Sequence, residues 1–510
     1  MAEVGDESFG HNRALPPQIL AFSSFPVTRF PLLQICFRVT LILGWLLATG
    51  CSLSSNYYRG LEASIGAGKF DHADKLVAQA QGDYGSKSRL LYLMDRGMTL
   101  HLAGRYQESN ALLEEADQLV DDLYTRRVRN EITSLLVNDT QRPFEGASYE
   151  QIMIHVIKGM NYAVLENFEG AAVEGRKIDH RLNVLADSVD SDDYHDDPFA
   201  RYFSGILFEA LGDFNNALVS YKNAYEGYKR FRSWLKIEVP QSLQIDLLRM
   251  AKALQLEEDY QYYQQEFSNF PTSYVVDDTD LSQIVIVGLT GQAPRIEDQF
   301  LDLPISLNAL KLVLQTKAVT RRHSRGARPL QSALYGLNGH VVRVALPKLI
   351  PQLSRLSRME VTMIGQGEAY SGKSQLVHNI TATAKKNLAD RMTRTTIKAV
   401  ARAALKLSIA EGIGKGVGST AKKKHTQKLV RQSVSAFFRI FAIATEEADK
   451  RSWRTLPGAI YLTRLWVRPG TYEVRVTPFN RQGQSLSSFT HSNVTLSPGS
   501  IRFLTARLVH

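Results

Sequence analysis

The chain has almost no cysteine. Its 510 residues include only Cys36 and Cys51, so residues 52–510 contain none. That region therefore excludes disulfide bonds, thiol catalysis and thiolate metal sites. A chain of this length is expected to hold two or three domains and to bury a sizeable core.

A hydrophobic run long enough to span a membrane is also missing around Cys51. The apolar residues 39–48 are fewer than the roughly 20 that a spanning helix requires, and Arg29 and Arg38 precede them. This pattern is typical of a secretory signal core. We therefore predict that residues 1–50 are an N-terminal extension and signal peptide. Residues 1–27 match neither signal nor domain, so we expect translation to start near Arg29.

The signal ends in Ala48-Thr49-Gly50-Cys51, which resembles the lipobox of bacterial lipoproteins. The resemblance implies that Cys51 is acylated, for example with palmitate, and that residues 51–56 form a lipidated tether. Ser52 in place of aspartate implies the outer membrane, with the protein facing the periplasm. The alternative is a buried or interfacial apolar helix in which the cysteine is accidental.

Residues 57–270 have a helical, repeating pattern in which an aromatic residue follows each turn. The markers are Phe70, Tyr106, Phe168, Phe214 and Tyr260. The pattern is fullest around Phe214, where the small residues Gly205, Gly212 and Ala217 allow two helices to touch. It resembles a tetratricopeptide (TPR) repeat. The resemblance implies an α-solenoid that binds a protein partner; the alternative is an ordinary helical bundle.

One dense acidic stretch interrupts this region. Residues 187–197 contain six aspartates beside His195, but they lack the central glycine and closing glutamate of an EF-hand loop. We therefore expect a solvated loop, with cation binding as the alternative. No metal site and no cofactor is predicted for the chain.

β-strand patterns begin after residue 271. Short β-branched runs occupy residues 283–289, 340–346 and 358–364, and the runs 459–467 and 471–479 predict a hairpin. A second pair is predicted around Ser497-Pro498-Gly499. Helical periodicity returns in residues 375–413 and 429–448.

The predicted fold class is therefore multidomain α plus β. A TPR-like α-solenoid is followed by a mainly antiparallel β domain with an inserted helical hairpin. The β domain comprises residues 271–374 and 449–510, and residues 375–448 form the insertion.

Acidic residues are scarce in the C-terminal part. Residues 281–510 contain 35 lysines and arginines against 11 aspartates and glutamates, a net charge of +24; because the whole chain carries +10, residues 1–280 carry −14. The pattern predicts an anionic partner, either lipid or peptidoglycan. A solvated face and docking of the two oppositely charged parts are alternatives, and export argues against nucleic acid. The candidate binding residues are Lys385, Lys386, Arg391, Arg394, Lys398 and Arg402.

Residues 367–374 fit the spacing of a phosphate-binding P-loop, with Gly367, Gly372, Lys373 and Ser374 in the motif positions. No strand ending in aspartate follows, and the neighbouring strands have hairpin patterns. We interpret the glycine pair as a loop that leads into the helix. Nucleotide binding remains a remote alternative.

Four stretches carry a resemblance to a family of Gram-negative envelope lipoproteins with N-terminal TPR-like repeats and a C-terminal mixed β domain. They are residues 288–296, 344–347, 391–406 and 444–457. The resemblance implies location and architecture, with a link to cell-wall assembly, and no catalytic residues. We predict a non-enzymatic envelope scaffold that binds an envelope protein. An oligomeric structural or export-channel accessory is the alternative.

Overall fold

The computed structural model describes residues 55–129, 139–186, 196–268, 281–304, 341–352, 354–393, 395–396, 398–400 and 447–508. Residues 53–510 form one compact unit, in which a helical N-terminal region is followed by C-terminal β-sheets. None of the helices in these ranges is long and apolar enough to cross a bilayer. The predicted lipid-bearing Cys51 and most of the acidic loop, including His195, lie outside the described residues.

Eleven α-helices are described in the N-terminal region. They are α1 (Ser55–Gly66), α2 (Phe70–Gln79), α3 (Gln81–Tyr84), α4 (Arg89–Leu102), α5 (Tyr106–Arg129), α6 (Ser148–Val164), α7 (Phe168–Ala186), α8 (Pro198–Leu211), α9 (Phe214–Leu235), α10 (Gln241–Ala253) and α11 (Glu257–Glu266). From α4 onward the helices pack as consecutive pairs, and each pair contacts the next. Four of the five aromatic markers are the first residue of a helix, and Tyr260 lies inside α11.

The turn between α8 and α9 illustrates why these residues form helical pairs. Gly212 ends α8 with a φ of 85°, a left-handed conformation that favours glycine. Asp213 then caps α9 by accepting a hydrogen bond from the Asn216 backbone. At Gly205 a Cβ atom would lie 2.4 Å from the Tyr221 ring, so only glycine permits this close packing of the two helices. Ala217 is fully buried in the same contact region.

Ten strands are described in the C-terminal region. They are β1 (Ser282–Thr290), β2 (Arg295–Pro304), β3 (Val341–Ile350), β4 (Leu356–Gly365), β5 (Glu368–Lys373), β6 (Gln375–His378), β7 (Ala459–Val467), β8 (Gly470–Asn480), β9 (Phe489–Leu496) and β10 (Ile501–Leu508). The inner sheet has the order β10-β1-β7-β6, the outer sheet has the order β5-β4-β8-β9, and β2 and β3 form a two-stranded ribbon. Only β1 and β10 pair in parallel among these strands.

The inner sheet is the middle layer of the molecule. Val285 and Val287 on β1 belong to an apolar cluster shared with the helices. Ile284 and Ile286, which point to the other side, belong to the cluster shared with the outer sheet. Because both faces are covered, β1 is an almost continuous apolar run rather than an alternating one.

The two predicted β-hairpins do not form. Strand β7 pairs with β1 and β6, whereas β8 pairs with β4 and β9. The turn at Pro469 therefore carries the chain from the inner to the outer sheet, and the turn at Pro498 carries it back from β9 to β10. An alternating pattern specifies which side of a strand is buried, but it does not specify which strand lies beside it.

The prediction of a helix starting at residue 375 is also wrong. Residues 375–378 form β6, an edge strand that pairs with β7, and the helix begins at Ile380. Helical residues 380–393 follow, while the rest of the predicted helical hairpin, residues 401–446, lies outside the described residues. Val377 and Ile380 are fully buried. Residues 375–378 therefore pair with the sheet, and the helical pattern applies only from Ile380 onward.

Candidate functional site: the interface between the helices and the inner sheet

The inner sheet covers one side of the helical region. The Phe503 ring on β10 lies 6.2 Å from the Phe168 ring, between centroids. The Tyr106 hydroxyl is 3.4 Å from the Thr505 hydroxyl, and the Tyr228 hydroxyl donates to the backbone carbonyl of Val377 at 2.7 Å. Aromatic residues of three helices thus contact the protein's own sheet.

A group of buried charges joins β7 to α8 and α10. The fully buried Arg464 donates to Asp246 Oδ2 at 2.5 Å and to Glu209 Oε2 at 3.1 Å. Arg249 also pairs with Glu209 and lies 3.4 Å from Asp246 Oδ1. Although burial opposes this shift, the guanidinium groups of Arg249 and Arg464 lower the pKa of Glu209 well below its usual value. Two cations and two carboxylates therefore compensate one another inside the interface.

Two buried tyrosines complete this group. The Tyr221 hydroxyl donates to Glu209 Oε2 at 2.6 Å, and the Tyr202 hydroxyl donates to Asp246 Oδ2 at 2.8 Å. Both hydroxyls satisfy carboxylate lone pairs that the arginines leave open. The carboxylates are thereby held in place from the helical side as well as from the sheet.

A second contact is made by residues 447–458, which we call the docking segment. Trp453 in this segment is 1% exposed, and its backbone N–H donates to Glu150 Oε1 at 2.7 Å. The Thr455 hydroxyl donates to Asp95 Oδ1 at 2.8 Å. Residues of α4 and α6 therefore bind the segment through carboxylates that point out of the helical core.

Asp95 is held in an unusual state by this contact. It is 0% exposed, and it also accepts a hydrogen bond from the Tyr84 hydroxyl at 2.8 Å. Burial raises the pKa of Asp95 to about 7, although the hydrogen bonds from Tyr84 and Thr455 act in the opposite direction. Burial likewise raises the pKa of Glu150. The docking segment is thus bound by two carboxyl groups that give up protons less readily than exposed ones.

At another point of the interface, His378 of β6 contacts the start of α8. His378 Nε2 lies 3.6 Å from Asp197 Oδ2 and 3.2 Å from the Thr383 hydroxyl. Burial lowers the pKa of His378, even though Asp197 acts against that shift. Asp197 also caps α8 by accepting from the Ala200 backbone at 3.0 Å. The pair joins helix and sheet and is inaccessible to a substrate, since both residues are almost fully buried.

Four of the six predicted anion-binding residues are described, and all four lie in helical residues between Ile380 and Val400. Lys385 is exposed, Lys386 pairs with Asp390 one turn later, and Arg391 donates from Nε to its own helix at the Asn387 carbonyl. Lys398 is half-buried. Arg394 and Arg402 lie outside the described residues.

The P-loop-like motif is part of a β-hairpin. Gln366 and Gly367 both have positive φ, 52° and 80°, as in a two-residue type I′ turn between β4 and β5. Gly372 and Lys373 lie in β5 and pair with β4, so the backbone N–H groups do not converge on a phosphate. The interpretation as a loop that leads into a helix is therefore wrong, and the nucleotide alternative loses its structural basis.

The other motif residues have packing roles. A Cβ atom at Gly372 would lie 2.7 Å from the Leu465 side chain, so glycine permits the close approach of β5 to the inner sheet. The Ser374 hydroxyl hydrogen-bonds to that of Thr463. The sequence signal for this hairpin was Gly367 between two stretches in which apolar and polar residues alternate.

The charged interface residues were missed at the sequence level. Arg464 interrupts an apolar strand, and Asp95 and Glu209 interrupt apolar helix stretches. A charged residue at a position that should be buried was the available signal. Within the described residues, no group of three or more histidine, aspartate or glutamate side chains is arranged to hold a metal ion.

No protein-family model matches the chain, and no curated protein matches it. Among solved structures, the chain is similar to one titled "MamA MSR-1 C2", with 14% sequence identity over 42% of this chain and 93% of that chain. The TM-score is 0.25. At that score the backbones correspond too loosely for the likeness to assign a fold or a function.

Proposed function

We propose that the protein is a non-enzymatic, lipid-anchored scaffold of the outer membrane that faces the periplasm. Cys51 carries the anchor, the TPR-like helical repeats hold the C-terminal region, and basic residues of that region bind an anionic envelope component. The resemblance to envelope lipoproteins supports the location. No catalytic residue is part of the proposal.

The observation that carries the proposal is the small number of described basic residues that form ion pairs across the interface. Among the described residues, the arginines of the C-terminal region that pair with acidic residues of the helical region are Arg454, Arg464 and Arg502. Docking of the two oppositely charged parts therefore accounts for three of the described basic residues, whereas residues 281–510 carry a net charge of +24. That excess favours attraction to phosphate or carboxylate groups of the envelope.

The first test is membrane attachment. In cell fractionation, Cys51→Ala is expected to move the protein from the outer-membrane pellet to the soluble periplasm. Recovery of the variant in the outer-membrane fraction would contradict the anchor.

The second test is binding to an anionic surface by the soluble Cys51→Ala protein. Sedimentation with vesicles of phosphatidylglycerol and phosphatidylethanolamine is expected at low salt, and it should weaken as the screening length falls to about 8 Å near physiological salt. Lys385→Glu with Lys386→Glu should weaken it several-fold. Arg358→Glu with Arg475→Glu, which reverses two exposed charges on the outer sheet, is the matched control. Equal losses in both variants would contradict a specific role for the helix.

A further inference from the structure

The docking segment crosses the helices in the manner of a bound peptide. Residues 447–458 contain no helix or strand. Its backbone is joined to the C-terminal region by three backbone hydrogen bonds, from Ala293 N–H to the Leu456 carbonyl at 2.9 Å, from Gly458 N–H to the Thr290 carbonyl at 2.8 Å and from Thr381 N–H to the Gly458 carbonyl at 3.2 Å. Side chains of α1, α4 and α6 hold it at separate points. This arrangement differs from that of β1, whose backbone is paired along both edges.

Two apolar side chains anchor the segment. Trp453 and Leu456 are 1% and 0% exposed, and both belong to the apolar cluster of the helical region. Buried tryptophan is the side chain most often found at the energetic centre of a protein interface. The rim is basic, because the Arg454 guanidinium lies 4.1 Å from the Tyr58 ring centroid and the Arg451 guanidinium lies 5.5 Å from that of Phe144.

In the described hydrogen bonds between the docking segment and the helices, the segment is always the donor. The segment donates from Trp453 N–H, the Thr455 hydroxyl and the Arg454 guanidinium. The helical region accepts through Glu150, Asp95 and Glu62, in that order. Arg451 also donates to the Lys87 carbonyl at 3.2 Å. The helical surface thus presents an apolar pocket bordered by hydrogen-bond acceptors, which fits a basic, aromatic peptide.

Burial of the two carboxyl groups reduces the net stabilisation that the polar contacts of the segment provide. Burying Asp95 and Glu150 opposes their ionisation, as the raised pKa values of both carboxyl groups indicate. Burial of a carboxylate costs free energy that its hydrogen bonds offset only in part. The segment is therefore held by a strong apolar anchor and by polar contacts that give little net gain.

We propose that the surface of α1, α4 and α6 is a binding groove for a basic, tryptophan-containing peptide, which residues 450–456 occupy within the same chain. A partner protein that presents the pattern basic-x-Trp-basic-Thr-Leu exchanges with this segment. This basic peptide is a different ligand from the anionic envelope component of the proposed function. Its binding can be measured without lipid attachment or vesicle binding.

The test uses a fluorescent synthetic peptide of residues 447–458 and the full Cys51→Ala chain. Trp453→Ala with Thr455→Ala vacates the groove. Anisotropy should give saturable binding to this variant at least tenfold tighter than to the unsubstituted chain, whose tethered segment competes at high effective concentration. A peptide carrying Trp453→Ala is the control and should bind at least tenfold more weakly. Failure of a folded, vacated variant to bind the peptide, or equal binding of both peptides, would overturn the proposal.

Hydrogen exchange on the unsubstituted segment keeps the proposal testable if the variant unfolds. The Trp453 amide should exchange through local opening, at least tenfold faster than the amides of Val285 and Val287 in β1. A Trp453 amide that exchanges only at the rate of these strand amides would mean that the segment is a fixed part of the core. That result would refute the exchange of peptides.

Discussion

The two faces of the inner sheet are buried by different chemistry. The face toward the outer sheet contacts an apolar layer that includes Met359, Val361 and Met363. The face toward the helices combines apolar packing with the buried charges of Arg464 and Asp246. Both faces remove side chains from water, but among the residues that the structure describes only the second includes buried ion pairs.

Apolar packing and buried ion pairs contribute differently to the fold: the first stabilises it, and the second favours one arrangement of sheet and helices over others. Apolar packing stabilises any arrangement that excludes water, at about 25 cal/mol per Å² of buried surface. A buried ion pair gains little over an apolar pair, yet removing one partner is costly. We infer that apolar packing stabilises both faces, whereas the buried charges define where the sheet sits on the helices.

The largest expected effect is at Arg464. Arg464→Ala leaves Glu209 and Asp246 buried with only Arg249 as a cation, so we expect a loss of about 3 to 5 kcal/mol in the free energy of unfolding. Urea denaturation followed by circular dichroism measures it. Arg464→Met combined with Asp246→Leu removes one charge of each sign and should lose less than the single variant. A single variant within about 1 kcal/mol of the original protein would remove the contrast between the faces.

The next effect tests the apolar face. Met359 is fully buried, and its Sδ and Cε atoms lie 2.7 Å from the position of a Cβ atom on Gly288. Met359→Ala leaves a cavity and should cost about 2 to 4 kcal/mol. Met359→Leu nearly conserves volume and should cost less than about 1.5 kcal/mol. Equal losses in these two urea titrations would argue against tight packing between the sheets.

The two faces differ in how far the sequence predicted them. The strand at residues 283–289 was predicted, and β1 extends it by one residue at each end. The β7 and β8 segments were also predicted as strands, because β-branched and alternating residues are local signals. Their partners depend on contacts between distant parts of the chain, which no local pattern encodes.

The buried ion pairs of Arg464 could not be predicted from the sequence for a related reason. Arg464 reads as an exposed strand residue until Glu209 and Asp246 are brought beside it from more than 200 residues away. Burial of a charge is decided by such partners and not by the residue itself. The prediction of an anion-binding helix, in contrast, used only the spacing of basic residues along a short stretch of the chain.

The third prediction concerns pH. The pKa of Asp95 rises from an unfolded value of 3.8 to about 7 on burial, so the folded state binds more protons between these values. Its contribution to stability is complete below pH 3.8 and is lost as the pH rises through 7. From pH 6 to pH 8 the loss should be about 1 kcal/mol.

Buried histidines change the total profile in the opposite direction. Burial lowers the pKa of His101 to about 4 and also lowers that of His378. Their contribution is present above the unfolded pKa of 6.5 and decreases as the pH falls. The difference between the original protein and Asp95→Asn therefore isolates the carboxyl group in urea titrations at pH 6 and pH 8. A difference that does not change with pH would contradict the raised pKa.

The smallest effect belongs to an exposed ion pair. Arg475 Nη2 lies 2.8 Å from Glu473 Oε1 on the solvent side of the outer sheet, and the two side chains are 51% and 44% exposed. Water solvates both charges whether or not they pair, so Glu473→Gln should change the free energy of unfolding by less than about 0.5 kcal/mol. Both sites pair arginine with carboxylate, so their difference reflects burial together with the additional partners of Arg464. A loss above about 1.5 kcal/mol would mean that exposure does not decide the strength of ion pairs here, because exposed pairs rarely contribute that much.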